Sequence, residues 1–467
     1  MAEPSFDEKN DQHVAASVVD SDAPGNAELD KRILWRRDLV LVPLLGTMYM
    51  VMFLDRTNIA NARIEGLEAG LNMPSNGYNV ALSVFYVPFV LFEVPSNLVL
   101  SLPWVKPRWY LGTMVVLLGI VAMCQGLTAS YGGLLATRFI AGIFESTLPA
   151  AATYIMSTYY TKKEGAVRFA WFFNFALAGP MFSGLLAYGL VRGLDGHGGY
   201  EGWRWIFIIE GLMTVVFGCI VLVATPNFPE KAQNWFLKAH ERERLLVLLE
   251  QSRGREGNND TEGLEDVPAW KVFLDWRVQL FTLAFFCCDV TASSVSAFSP
   301  TIISELGYVS TTAQLLTMPV WASGIIASFT VVYIATRANK RWMFVLGSIL
   351  VQIAGWSILK AWPSTIGVRY LTFNLRGRKY LAVGMAWCTG FGNAANFVSA
   401  NMFIKTERPR YPSGISVGLS FCCIGFALVS FITALLVRLN KRRELKLGSL
   451  SEEERAVRAD KGFKFVL

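Results

Sequence analysis

The sequence predicts an all-α, polytopic membrane fold of six spans, a polar connection and five further spans. Three observations carry this. Hydrophobic residues make up 53% of the 467 and charged residues only 17%. With a positive mean hydropathy, a chain this long has that balance when most of it lies in lipid. Eleven apolar runs recur, at 39–59, 79–102, 109–129, 132–159, 167–191, 204–225, 277–300, 312–336, 342–361, 380–404 and 413–437. They are close to the ~20 residues a helix needs to cross hydrocarbon. Basic residues gather at alternate connections: Lys31, Arg32, Arg36 and Arg37 before the first run, Lys106 and Arg108 after the second, Lys162, Lys163 and Arg168 after the fourth, and Arg337, Lys340 and Arg341 after the eighth. That alternation places the N-terminus in the cytosol. It also accounts for the net charge of +7 without a nucleic-acid partner.

In chain order, residues 1–37 are polar, carry no cleavable signal peptide, and are expected to be a disordered cytosolic tail. Residues 38–226 form an N-terminal six-helix bundle and 227–271 a cytosolic linker. In the linker, Trp235-Phe236-Leu237 and Glu241 to Leu249 predict an amphipathic helix on the inner membrane face, its charges solvated. Residues 272–440 form a second, incomplete bundle, and 441–467 a basic cytosolic tail. Two cytosolic ends require an even number of crossings, whereas eleven is odd. The ninth run ends near Ala361, outside by alternation, yet the basic cluster Arg376-Gly377-Arg378-Lys379 belongs inside. Trp362 to Leu375 are too few and too polar for a helical crossing.

The ionisable residues within the runs carry the functional reading, because each must face protein, water or a partner. Asp55 and Arg56 end the first run. Either Arg56 snorkels with Asp55 as its pair, or the two line a path, Asp55 taking protons and Arg56 an anion. Arg138 and Glu145 lie two turns apart in the fourth run, on one face about 10 Å apart. They read as an internal ion pair or as a second anion site and a second protonatable acid. Ala141 and Gly142 between them allow close helix approach. Glu93, beside Pro95 and Asn97, reads as structural or gating. Glu210 follows Trp203 and Trp205, which read as an interfacial belt, and partners a neighbouring helix. Asn174 is a weaker substrate-binding candidate, and Asp289 has no partner in sequence. The three histidines, His13, His197 and His240, lie outside the runs, so proton coupling has to use carboxylates. An adjacent cation holds a carboxylate ionised and a dry cavity protonates it. An anion on Arg56 therefore favours a proton on Asp55, and the reverse. The seven cysteines form no CxxC pair or Cys/His cluster, so no metal, cofactor or disulfide is expected. No nucleophile–base set points to an enzyme.

Leu54 to Ala62, Phe92-Glu93-Val94-Pro95-Ser96-Asn97, Arg138 to Glu145, Gly202 to Gly211, Ser299-Pro300-Thr301-Ile302-Ile303 and Pro409 to Gly414 together resemble the major facilitator superfamily. Within it they resemble the anion:cation symporters, and most closely their fungal allantoate/nicotinate-permease branch. The resemblance implies two six-helix bundles working by alternating access and transport of small organic anions with protons. By position it makes Asp55 and Glu145 the proton-coupling pair and Arg56 and Arg138 the anion ligands, with Asn393 a polar cavity residue. Phe89 departs from the Tyr usual before the Glu93 motif. The superfamily's Asp after the second span is also absent. Beside the family pattern, Gly367 to Leu371 resembles the start of a tenth span and Asn374 to Lys379 the loop after it. Most of that span is therefore expected to be missing, through a deletion or a mis-joined exon, leaving a stunted segment at 362–379.

The function expected is uptake of a small carboxylate or ureide with protons, by a monomer in the plasma membrane. The rival expectations are export of a secondary metabolite and a non-transporting sensor or dead carrier.

Overall fold

The computed structural model describes residues 26–102, 104–230, 235–260, 276–308, 310–338, 341–361, 394–408 and 410–448. The N-terminal half contains α1 (Asn26–Ala62), α2 (Gly77–Ser101), α3 (Pro107–Leu127), α4 (Tyr131–Tyr159), α5 (Lys162–Leu194) and α6 (Gly202–Ala224). The linker folds as α7 (Ala239–Asp260). The C-terminal half shows α8 (Trp276–Glu305), α9 (Ser310–Ala338), α10 (Arg341–Ala361), the short α11 (Ala395–Ala400) and α12 (Pro412–Gly448). Among the described residues, ten helices are long and apolar enough to cross a membrane, all but α7 and α11. The fold is all-α. The run at 380–404 is described only from 394 onward, and the segment 362–379, where a stunted span is expected, lies outside the described residues.

Local chemistry explains where helices begin and how closely they pack. The Ser130 hydroxyl accepts from Gly133 N at 3.2 Å and caps α4. Thr161 and Glu164 form a reciprocal capping box at the start of α5. Gly66 has φ +99°, a left-handed conformation that ends the first span in a π-turn at Arg63–Leu67. Gly142 meets α2 backbone to backbone, and a Cβ there would collide with the Phe85 carbonyl, as its place between Arg138 and Glu145 leads one to expect. Leu91, Leu98, Val223 and Ile326 stay exposed on the outer faces, where lipid replaces water.

Two expectations about the cytosolic end are corrected. Residues 26–37 are the first turns of α1, not disordered tail, and Ile33 and Arg37 are buried. The charges of the linker helix are not all solvated. Glu241 and Arg244 are 0% and 2% exposed. Glu241 accepts from Arg36 at 2.6 Å, and Arg244 forks onto both oxygens of Asp30 at 3.0 and 3.2 Å. Leu245 and Leu249 join the apolar core with Ile33 and Leu41. Its apolar face meets α1, which outcompetes the bilayer surface for it. Nearby, Arg168 forks onto Asp38 at 3.0 and 2.7 Å. Burial, with Asp38 beside it, pushes the Tyr160 hydroxyl up from its ordinary pKa. The interfacial belt is also corrected for Trp203, which is fully buried and donates to Glu201.

Candidate functional site

The site lies on the inward face of the N-terminal half, where α1, α4 and α6 turn their charged residues toward one another. Consecutive residues on a helix point about 100° apart, so Asp55 and Arg56 leave α1 in different directions and do not pair with each other. Arg56 Nε donates to Glu145 Oε1 on α4, and both side chains are nearly buried. Its guanidinium lies 4.6 Å from the Phe89 ring centroid, 5.2 Å from Phe53, 5.7 Å from Phe85 and 6.0 Å from Tyr86. Cation–π attraction is strongest where water is excluded. The Phe89 that stands in place of a Tyr is therefore the nearest wall of the arginine's box.

Arg138 does not pair with Glu145, because Arg56 takes that acid. It is 4% exposed, its Cζ 5.7 Å from the Phe207 ring, and its Nε and Nη2 have no hydrogen-bond partner. Arg56 Nη2 is likewise without one. A buried guanidinium keeps its charge and is unfavourable without an anion. The arrangement is one hydrogen-bonded Arg–Glu pair beside a second buried cation with two unpartnered nitrogens.

Asp55 points the other way. It accepts from Thr214 Oγ1 of α6 at 3.3 Å and from Asn58 Nδ2 at 3.5 Å. Asn58 Oδ1 accepts from Ser183 at 3.2 Å, which in turn accepts from Asn61 at 2.7 Å. Asn58 and Asn61 follow Asp55 at helical spacing within a motif already singled out, so this polar ladder could have been read from sequence. Thr214 and Ser183 carried no such signal. Glu210 is fully buried on α6. Glu93 is also buried. Its carbonyl accepts from the Ser96 hydroxyl and the Asn97 amide, both at 3.0 Å. Asn174 donates from its amide to the Ala170 carbonyl at 2.8 Å, and its buried Oδ1 has no hydrogen-bond partner. Asn393 lies outside the described residues. Asp289, without a partner in sequence, accepts from Ser293 and from Asn396 of α11, both at 3.1 Å. Tyr86 meets Phe397 at 6.4 Å, so the acid of the C-terminal half stands near the box around Arg56. Among the described residues no His/Cys/Asp/Glu cluster suits a metal ion.

Residues 45–430 match the model of the Major Facilitator Superfamily. This chain belongs to that superfamily. An uncharacterized transporter of Schizosaccharomyces pombe is 34% identical over 83% of this chain and 74% of its own length. The High-affinity nicotinic acid transporter of Saccharomyces cerevisiae is 27% identical over 95% of this chain and 85% of its own length. Among solved structures, a D-xylose-proton symporter aligns with a TM-score of 0.59 at 15% identity, covering 84% of this chain and 97% of that one. A bacterial homologue of the lysosomal transporter Spinster, in an inward-facing and unoccupied conformation, aligns with a TM-score of 0.54 at 16% identity, over 88% of this chain and 85% of that one. These likenesses agree with the all-helical architecture. This superfamily chain is a multi-pass membrane transporter, not an enzyme.

Proposed function

We propose that this chain is a proton-coupled importer of a small organic anion, a carboxylate such as nicotinate or a ureide such as allantoate. The observation that carries the reading is Arg138, buried with two guanidinium nitrogens unpaired beside the already paired Arg56 and Glu145. A substrate carboxylate would bind Arg138 and compete for Arg56, displacing Glu145, which then takes a proton. Asp55 and Glu145 are the coupling acids in this scheme. The nicotinic acid named for the yeast relative fits a planar carboxylate among Phe53, Phe85, Tyr86 and Phe89.

The conformation supports alternating access. The hydrogen bonds between the halves gather at the end of the α1–α2 connection: Gln314 to Glu65 at 3.1 Å, Lys405 to Glu68 at 2.7 Å, Tyr78 to Ala297 at 2.7 Å, Asn79 to Phe403 at 3.3 Å and Asn401 to Ser83 at 3.1 Å. With cytosolic termini, the positive-inside rule makes that end extracellular, and the bonds gathered there support a carrier closed on its outer side. The test is uptake of radiolabelled nicotinate and allantoate by cells expressing the chain, at acid and near-neutral external pH. Uptake favoured by acid supports import with protons. Efflux of preloaded substrate with no uptake refutes it.

A further inference from the structure

Three buried carboxylates and two guanidiniums meet in the N-terminal half, and the anion site leaves one of the acids unused. Glu145 on α4 is bonded to Arg56. Glu210, 0% exposed, lies on α6 one turn before Thr214. The Thr214 hydroxyl donates to Asp55 Oδ2 at 3.3 Å and to the Glu210 carbonyl at 2.9 Å, tying the two acids' surroundings together. One turn apart, Glu210 and Thr214 share the face of α6 that meets Asp55 of α1, and Asn58 of α1 donates to the same Asp55. Neither Glu210 oxygen has a hydrogen bond of good geometry.

Among the described residues, neither acid of this pair hydrogen-bonds to a cation. On α4, Arg138 and Glu145 are within electrostatic reach of Asp55. On α1 the neighbouring charge, Arg56, is taken by Glu145. α3 meets Gly211 through Gly119 and Met123, and its one charged residue, Arg108, lies in its first turn. α5 contributes the Ser183 hydroxyl. Glu93 of α2 and Asp289 of α8 are the further buried acids of the spans among the described residues.

Charge counting then makes a definite statement. Three carboxylates against Arg56 and Arg138 leave one negative charge unbalanced, which is unfavourable away from water. Two carboxyl groups in one dry pocket resolve this by sharing a proton. A monocarboxylate arriving at Arg138 adds one more negative charge and requires one more proton.

We propose that Glu210 is the innermost proton site of the carrier, sharing a proton with Asp55, and that each bound monocarboxylate brings one further proton into the acid cluster. The proton passes from water to Asp55, which is 8% exposed, and on to Glu210. Only O–H bonds form and break. This rests on the proton-coupled reading above and adds to it a site and a stoichiometry of one proton per monocarboxylate.

Infrared difference spectra of the purified full chain in lipid nanodiscs, without substrate, test the shared proton. A protonated-carboxyl band present in wild type at neutral pH is expected to vanish in Glu210→Gln and to move in Asp55→Asn. If Glu210→Gln fails to fold, Thr214→Val, which keeps both acids and removes the hydroxyl that donates to Asp55, has to move the same band. A band unchanged in these variants overturns the proposal. In proteoliposomes, radiolabelled nicotinate should accumulate about tenfold per pH unit of imposed gradient in wild type. Glu210→Gln should lose that accumulation and retain equilibrium exchange, and Glu210→Asp should recover part of it. Equal loss of accumulation and exchange would make Glu210 merely structural. If wild type carries no nicotinate, the carboxylate reading fails for this substrate, and the infrared comparison still decides the acid pair.

Discussion

Two arginines in the site carry the same charge under opposite conditions, and their substitution should separate them. Arg56 is held by Glu145 and four aromatic rings. Truncating it leaves a buried carboxylate alone, so Arg56→Ala should lower stability by about 3–5 kcal/mol as well as abolish uptake. Arg138 has unpaired nitrogens in the empty protein. Arg138→Ala should therefore be neutral or stabilising in thermal unfolding while abolishing anion uptake. Lys at 138 should restore little of the uptake, because an ammonium cannot hold a carboxylate at two points. Equal unfolding temperatures for the two alanine variants would contradict this division. For coupling, Asp55→Asn and Glu145→Gln should lose accumulation driven by a pH gradient, worth about 1.4 kcal/mol per unit, and keep some counterflow exchange. Substrate concentrated by both neutral variants would remove these acids from the coupling role.

Among the elements, α7 departs most from its reading in sequence. Its alternating charges look like a solvated face, and an amphipathic helix beside a membrane looks membrane-bound. What decides otherwise is α1, whose cytosolic extension offers Asp30, Arg32 and Arg36 to Glu241 and Arg244. These partners lie about two hundred residues away in the chain, so no local pattern reveals them. Glu241→Ala leaves Arg32 and Arg36 of α1 without their acid. It should expose the linker to proteolysis at a concentration of protease that leaves wild type intact. Cleavage unchanged from wild type would mean that α7 is held by its apolar face alone. Gly142→Leu acts at the opposite extreme of packing. It forces α4 from the α2 backbone and should cost about 1–3 kcal/mol by overpacking, read as a lower unfolding temperature.

At the scale of the whole molecule, the halves are joined at the end that alternating access has to open. The Asn401 amide donates to the Ser83 hydroxyl of α2 at 3.1 Å across the halves, which brings the two side chains within the reach of a disulfide. In a background without exposed cysteines, Ser83→Cys with Asn401→Cys should form a disulfide on oxidation. The oxidised protein should not transport, and reductant should restore uptake. Transport that persists with the bridge formed would show that this end does not separate.

The sequence by itself determined the membrane class, the all-α fold, the six spans of the first half and the superfamily. The class, the fold and the spans follow from run length, composition and charge alternation, which are local and additive, and the superfamily follows from the resemblance of its motifs. It also singled out Asp55, Arg56, Arg138 and Glu145, since an ionisable residue in an apolar run is legible wherever it occurs. The tertiary structure decided their partners. Arg56 bonds to Glu145 rather than to its neighbour Asp55, Arg138 keeps two unpartnered nitrogens, and Asp55 accepts from Asn58 and Thr214. Helix rotation fixes each direction, and the close packing of α1, α4 and α6 fixes which directions meet. Neither is written in the spacing along any one helix.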